Sequence, residues 1–260
     1  MKFAKKSLGQ NFLRDQNIIK KIINLVEVKN RNIIEIGPGE GALTEEILKK
    51  EPKSLSIIEK DFDLFKKLKI KYFKNKIIKI YNADILRFDI QKLDTKNSAI
   101  FGNLPYNISS QILVKILKFD KWPPKFNDLI LMFQKELGDK VLGKYLSSNY
   151  GRLSILTNYR LNLLSKFLVS PNCFFPKPKV NSLVIHFKPK KGSFNIKKIE
   201  SLEKITNILF SNKRKMINKN IKKILKNDEI SKISELKLNF RPSEIKPEIF
   251  YKITELYEKK

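Results

Sequence analysis

Apolar positions along the chain fall into short runs separated by segments of helical period. Ile33 to Ile36, Leu55 to Ile58, Ile77 to Tyr81, Ser98 to Phe101 and Asp128 to Phe133 read as buried strands. Between residues 17 and 26, Ile18, Ile19, Ile22, Ile23 and Val26 recur at helical spacing, which predicts a helix packed on a sheet. Strands and helices alternate from Asn32 to about Gln134, the pattern of a doubly wound α/β sheet. Two later runs, Phe167 to Val169 and Leu183 to Phe187, predict a hairpin-like pair that closes the sheet. Lys188 to Ser193 is a basic linker with Pro and Gly breakers. Beyond it, Ile205, Ile208, Leu209, Ile217, Ile221, Ile224 and Leu225 keep a helical period. The expected organisation is an α/β domain over residues 1–190 and a small all-helical domain over 191–260.

Successive strand ends carry residues suited to a nucleotide-like ligand. Ile33 to Ile36 runs into Gly37-Pro38-Gly39-Glu40-Gly41, and a helix opens at Ala42. A glycine-rich turn there lets the backbone approach a ligand closely. Leu55 to Ile58 ends in Glu59, a carboxylate placed to accept from ribose hydroxyls. The third run ends in Asn82-Ala83-Asp84, and Asp84 can accept from an adenine amine. After the fourth come Asn103-Leu104-Pro105-Tyr106. The Asn103 side-chain oxygen and the Leu104 carbonyl can both accept from one NH₂ group, at a spacing that Pro105 sets. Tyr106 offers a ring on which a base can stack. Each feature alone is a common turn, cap or strand end; their order along one chain is the signal. No Gly-Lys-Ser/Thr follows the glycine turn, which disfavours an NTPase.

Charge adds a partner. The formal net charge is +28, from 54 basic and 26 acidic residues among 260. Abundant Ile and Asn point to an A+T-rich genome, which explains Lys over Arg but not the shortage of carboxylates. A polyanion is therefore the expected partner. Lys213, Arg214 and Lys215, with Lys219, Lys222 and Lys223, give the helical segment a basic face assigned to RNA. Cys173 and His186 are single, which excludes an internal disulfide, a zinc site and a Ser-His-Asp triad. A reducing cytoplasm is the expected compartment. No apolar stretch reaches the about 20 residues of a membrane span. Met1 to Lys6 lacks a following signal-type apolar region and reads as a basic RNA-contacting arm.

The four strand ends resemble a class I S-adenosylmethionine-dependent methyltransferase. Further motifs narrow the resemblance: Lys6-Ser7-Leu8-Gly9-Gln10-Asn11-Phe12-Leu13, Phe133-Gln134-Lys135-Glu136, Tyr150-Gly151-Arg152-Leu153-Ser154 and Phe174-Phe175-Pro176-Lys177-Pro178-Lys179-Val180-Asn181-Ser182. In order and over nearly the whole chain, they resemble the small-subunit ribosomal RNA adenine N6,N6-dimethyltransferases. The resemblance implies four methyl transfers to two adjacent adenosines in the 3′-terminal hairpin of 16S rRNA, within a small ribosomal subunit precursor. S-adenosylmethionine is the implied donor and S-adenosylhomocysteine the product; a monomer is expected. Carried over by position, Asn11 and Leu13 flank the cofactor's methionine end, and Gly37 and Gly39 underlie it. Glu59 holds its ribose, Asp84 its adenine, and Asn103 reaches both cofactor and target amine. Tyr106 and Phe174 sandwich the target base.

The sequence departs from the family's commonest form in three places. Lys177 interrupts a run often all Pro, Asn181 stands where Asp is frequent, and Lys213-Arg214-Lys215 carries less Arg. A sister family that methylates large-subunit RNA shares the glycine turn and the Phe174 to Ser182 stretch. Leu8-Gly9-Gln10, Leu104, Gln134-Lys135-Glu136 and Tyr150-Gly151-Arg152 favour the small-subunit enzymes. Two other classes stay open: a base methyltransferase with a different nucleic-acid target, and an assembly factor that binds without catalysing.

Overall fold

The computed structural model describes residues 10–192 and 194–259. The expected basic arm, Met1 to Lys6, and the first part of the opening motif, Lys6 to Gly9, lie outside the described residues. The chain divides into two compact units. One takes the residues up to Gly138 together with Asn162–Pro189; the other takes Asp139–Leu161 and the chain from Lys190 onward.

The first unit opens with a two-residue strand, β1 (Phe12–Leu13), and a helix, α1 (Gln16–Ile23). Asp15 caps α1 by accepting from the N–H groups of Asn17 and Ile18 at 2.9 and 3.0 Å. Ile19, Ile22 and Ile23 are its buried face; the helix stops before Val26. Then β2 (Asn32–Ile36), α2 (Ala42–Lys49), β3 (Ser54–Glu59), α3 (Phe62–Lys71), β4 (Ile78–Asn82), β5 (Ser98–Asn103), α4 (Ser109–Leu117) and β6 (Phe126–Gln134) follow. α5 (Lys135–Val141) and α6 (Arg152–Arg160) precede β7 (Leu161–Val169), β8 (Phe174–Phe175) and β9 (Ser182–Pro189).

Seven strands form one sheet in the order β4-β3-β2-β5-β6-β9-β7. The strands from β4 to β6 are parallel, and β9 runs antiparallel to β6. β9 lies between β6 and β7, so the expected closing pair is present at one edge. Buried Ile33, Leu55, Ile57, Ala99, Phe101 and Ile130 form much of the core with α1 and α2. Strand order reverses between β2 and β5. Crevices at such reversals, beyond the carboxyl ends of the strands, are where open α/β sheets take ligands. The lone histidine is structural: buried His186 on β9 meets Asp128 on β6 at 2.7 Å, and Arg31 reaches the other Asp128 oxygen at 2.8 Å.

The second unit is helical: α6 packs with α7 (Ile199–Leu209), which also meets α10 (Pro247–Tyr257) and α8 (Asn218–Ile221); α9 (Asn227–Ile230) lies between α8 and α10 in sequence. Of the seven apolar residues read at helical spacing, all but Ile208 are fully buried. The junction after Pro189 falls inside the linker expected from the sequence. Asp139–Leu161, before the expected boundary at 190–191, clusters with the chain from Lys190 onward, and the motif Tyr150 to Ser154 explains why. The Tyr150 hydroxyl donates to the Ile245 carbonyl at 2.8 Å, and its ring meets those of Tyr145 and Phe210 edge-on. Ser154 Oγ accepts from Gly151 N–H and donates to the Gly151 carbonyl, capping α6. The chain enters the helical unit, makes α6, and returns for β7.

Candidate active site

The glycine turn forms the floor. Gly37, Gly39 and Gly41 all have positive φ, 67°, 60° and 89°. A side chain at Gly39 would be strained at this φ and would force the Phe12 ring to move, since a Cβ would lie 2.8 Å from it. The turn leads directly into α2, with Gly41 as its N-cap.

Glu59 ends β3 and is 7% exposed. One carboxylate oxygen accepts from Asp61 N–H at 2.7 Å, the other from Gly39 N–H at 3.3 Å. Burial raises the Glu59 pKa. Asp61, invisible as a site residue in the sequence, is buried here; it caps α3 and accepts from the Gln10 side chain at 2.9 Å. Asp84 follows β4. Its Oδ2 pairs with Lys60 Nζ at 2.8 Å and Oδ1 accepts from Leu86 N–H at 2.9 Å. The Lys60 bond first, then the Leu86 bond, hold its pKa down.

Asn103 is the last residue of β5, at the strand-order reversal. Its amide nitrogen donates to the Asn11 carbonyl at 3.3 Å, which orients the side chain and leaves the oxygen as the end that can accept. Leu104 is buried, and its side chain fills the space a Cβ on Gly102 would need, 2.6 Å away. Tyr106 is tied at both ends. Its hydroxyl lies 2.6 Å from Ser182 Oγ, and its carbonyl accepts from Ser109 Oγ at 3.1 Å. Ser182 is fully buried at the start of β9. The sequence placed Ser182 in a motif without assigning it this task.

A cavity of about 540 Å³ lies here. Asn11, Leu13, Gly37, Gly39, Glu59, Asp84, Asn103, Leu104, Pro105 and Tyr106 all border it. Phe174 does not. It pairs with Leu13 across the β1–β8 ribbon and is 5% exposed within the core. Lys213, Arg214 and Lys215 are exposed on the helical unit. Among the described residues, no cluster of His, Cys, Asp and Glu has the make-up of a metal site.

A mixed seven-stranded sheet with a glycine turn, an acidic second strand end and Asn-Leu-Pro-Tyr at the reversal is a class I methyltransferase. The chain belongs to the ribosomal RNA adenine dimethylase family, whose model matches residues 1–259. It is 43% identical over 259 residues to ribosomal RNA small subunit methyltransferase A of Pelagibacter ubique, covering 98% of this chain and 97% of the relative. The protein of that name from Malacoplasma penetrans is 38% identical over 256 residues, with 96% and 91% covered. Among solved structures, a dimethyladenosine transferase from Plasmodium falciparum shares the fold, with TM-score 0.79, 24% identity, and 95% and 98% of the two chains covered. The 23S rRNA methyltransferase ErmE shares it at TM-score 0.69 and 23% identity, covering 95% and 99%.

Proposed function

We propose that this protein dimethylates N6 of two adjacent adenosines in the 3′-terminal hairpin loop of small-subunit rRNA, within a small ribosomal subunit precursor. The observation that carries the reading is Asn103, oriented by Asn11 at the strand reversal beside the Leu104 carbonyl. S-adenosylmethionine supplies an electrophilic methyl when bound. The chain's own residues supply position. Glu59 takes the ribose diol, and Asp84, already polarised by Lys60, takes the adenine amine. Asn11 and Leu13 border the methionine end, and Gly37 and Gly39 underlie it.

Adenine N6 is a weak nucleophile because its lone pair is delocalised into the ring. Acceptance of its two hydrogens by Asn103 Oδ1 and the Leu104 carbonyl draws the amine out of plane and localises that pair. No strong base is needed before attack, since the amine becomes acidic only on alkylation. A monomethylated N6 keeps one hydrogen, which one of the two acceptors can still take, so a second transfer follows where the pocket admits the first methyl.

The target base must be turned out of its stack, at a cost of a few kcal/mol. Tyr106 returns about 1–3 kcal/mol through stacking. The Tyr106–Ser182 bond holds the ring for this. Phe174 completes the sandwich only once its ring leaves its packing on Leu13.

Incubation with labelled S-adenosylmethionine and undermodified ribosomal subunits tests the reading. Label on two neighbouring adenosines of the small subunit is expected. Label confined to large-subunit RNA, or none at all, would overturn it. The resemblance to the small-subunit relatives at 43% identity favours the first outcome over the large-subunit reaction.

A further inference from the structure

We propose that Arg14 and Phe175 form a stacking subsite for the nucleotide next to the target adenosine. The proposal rests on the RNA reading above and concerns a pair of residues that reading does not use.

The β1–β8 ribbon sorts four side chains onto two faces. Phe12 lies opposite Phe175, and Leu13 opposite Phe174. Residues directly opposite in an antiparallel pair share a face, and successive residues alternate. Leu13 and Phe174 take the core face, at 3% and 5% exposure. Phe12 lines the cavity and lies against Gly39. Phe175 shares its face and is 49% exposed. The ribbon thus turns one phenylalanine inward and leaves the next one in solvent on the Phe12 side.

Arg14 covers that exposed ring. Its guanidinium carbon is 4.4 Å from the Phe175 centroid, and its side chain borders the cavity. Its backbone N–H donates to the Cys173 carbonyl at 2.8 Å, so the Arg14 backbone is tied to the segment that carries Phe175. Among the described residues, the carboxylate paired with the guanidinium is Glu40, at 3.6 Å, with both side chains about half exposed. Such a pair is weak and gives way readily to a phosphate. Exposed Lys177 and Lys179 follow Phe175 in the chain and keep the local charge positive.

Both aromatic rings and guanidinium planes are platforms for unstacked bases. Turning one adenosine into the cavity strips its neighbour of a stacking partner, and that neighbour stays at the rim. The Arg14–Phe175 stack offers the neighbour a replacement face, with Arg14 free to exchange Glu40 for its phosphate. When the two targets are adjacent, the subsite receives the second target while the first reacts.

The test compares the parent protein with Phe175→Leu, which keeps bulk but removes the ring, and Phe175→Trp, which restores one. Arg14→Gln is the independent variant. Methyl transfer to undermodified small subunits is measured across subunit concentration. A synthetic hairpin RNA with 2-aminopurine next to the target position reports stacking by fluorescence. Phe175→Leu and Arg14→Gln should raise KM for the subunit about ten-fold with kcat held within about two-fold. Phe175→Leu should also brighten the 2-aminopurine, and Phe175→Trp should reverse both effects. Parent-like KM and fluorescence in folded Phe175→Leu would sink the subsite. So would a loss that Phe175→Trp fails to restore, which would mark the ring as a structural cap. If Phe175→Leu does not fold, an unchanged KM in Arg14→Gln overturns the proposal. A parent protein that methylates no small subunit removes the functional reading itself, whereas an active parent with indifferent variants removes only the subsite.

Discussion

Glu35 sits two residues before the glycine turn, fully enclosed, with one oxygen accepting from Thr44 Oγ at 2.6 Å and the other without a partner. Burial, offset only in part by Thr44 and reinforced by nearby Glu59, pushes its pKa up to about 7 from 4.5. The folded state therefore holds this proton more tightly than the unfolded chain. Its contribution to stability is full below about pH 4.5, declines as pH rises, and is lost above about pH 7. Glu35→Gln should flatten thermal stability against pH between about 5 and 7, where one proton accounts for at most about 1.4 kcal/mol per pH unit. Identical slopes in parent and variant would contradict the assignment. Asn103 and Glu59 separate chemistry from cofactor binding at the same scale. Asn103→Ala should lose most methyl transfer, roughly 100-fold or more in kcat, with RNA affinity retained. Glu59→Ala should weaken S-adenosylmethionine measured by calorimetry, and should lower stability by about 1–3 kcal/mol because Asp61 and Gly39 N–H groups lose their acceptor. Near-parent turnover in the first, or unchanged cofactor affinity in the second, would remove that residue from its role.

Elements explain how remote residues meet. Parallel pairing aligns Ile36 with both Ile58 and Gly102, and Glu59 with Asn82, so four strands end at one level. Ligand-facing residues separated by up to some tens of positions are neighbours for that reason alone. Gly102 shows how closely β5 is fitted. A Cβ there would lie 2.6 Å from Leu104 and 3.1 Å from Leu131. Gly102→Ala should cost about 1–3 kcal/mol through overpacking. It should also lower kcat if relief shifts the Leu104 backbone, whose carbonyl is proposed above as one of the two acceptors. A variant with parent-like melting and turnover would show that the loop absorbs the methyl. The short β1–β8 ribbon acts at this scale too, since its register decides which of two neighbouring phenylalanines is covered.

At the scale of the molecule, the Lys213–Lys215 cluster and the cavity fall in different units. Lys213, Arg214 and Lys215 are exposed in the helical unit, whereas every cavity residue belongs to the α/β unit. Replacing all three with Ala should weaken RNA binding and flatten its salt dependence by roughly 0.7–0.9 log–log units per lost phosphate contact. Cofactor affinity should stay put, and turnover should fall more at low than at saturating subunit. The same RNA affinity and salt slope in the triple variant would reduce this face to solvated charge.

Local sequence determined the strand–helix alternation, the glycine turn and the acceptors at strand ends, because period, φ preference and side-chain chemistry act over a few residues. Glu59, Asp84 and Asn103 were legible on that basis, and the cavity brings them together. Tertiary structure alone decided the rest. Phe174 and Phe175 are adjacent aromatics of the same type, and only their pairing with Leu13 and Phe12 distinguishes core from surface. Ser182 reaches Tyr106 across 76 positions, and Arg14 meets Phe175 across a ribbon closed by distant chain. Asp139–Leu161 joins the helical unit because Tyr150 and Tyr251 find carbonyl acceptors about 95 residues away in sequence. Such contacts depend on which surfaces fold against each other, and no local period or propensity encodes them.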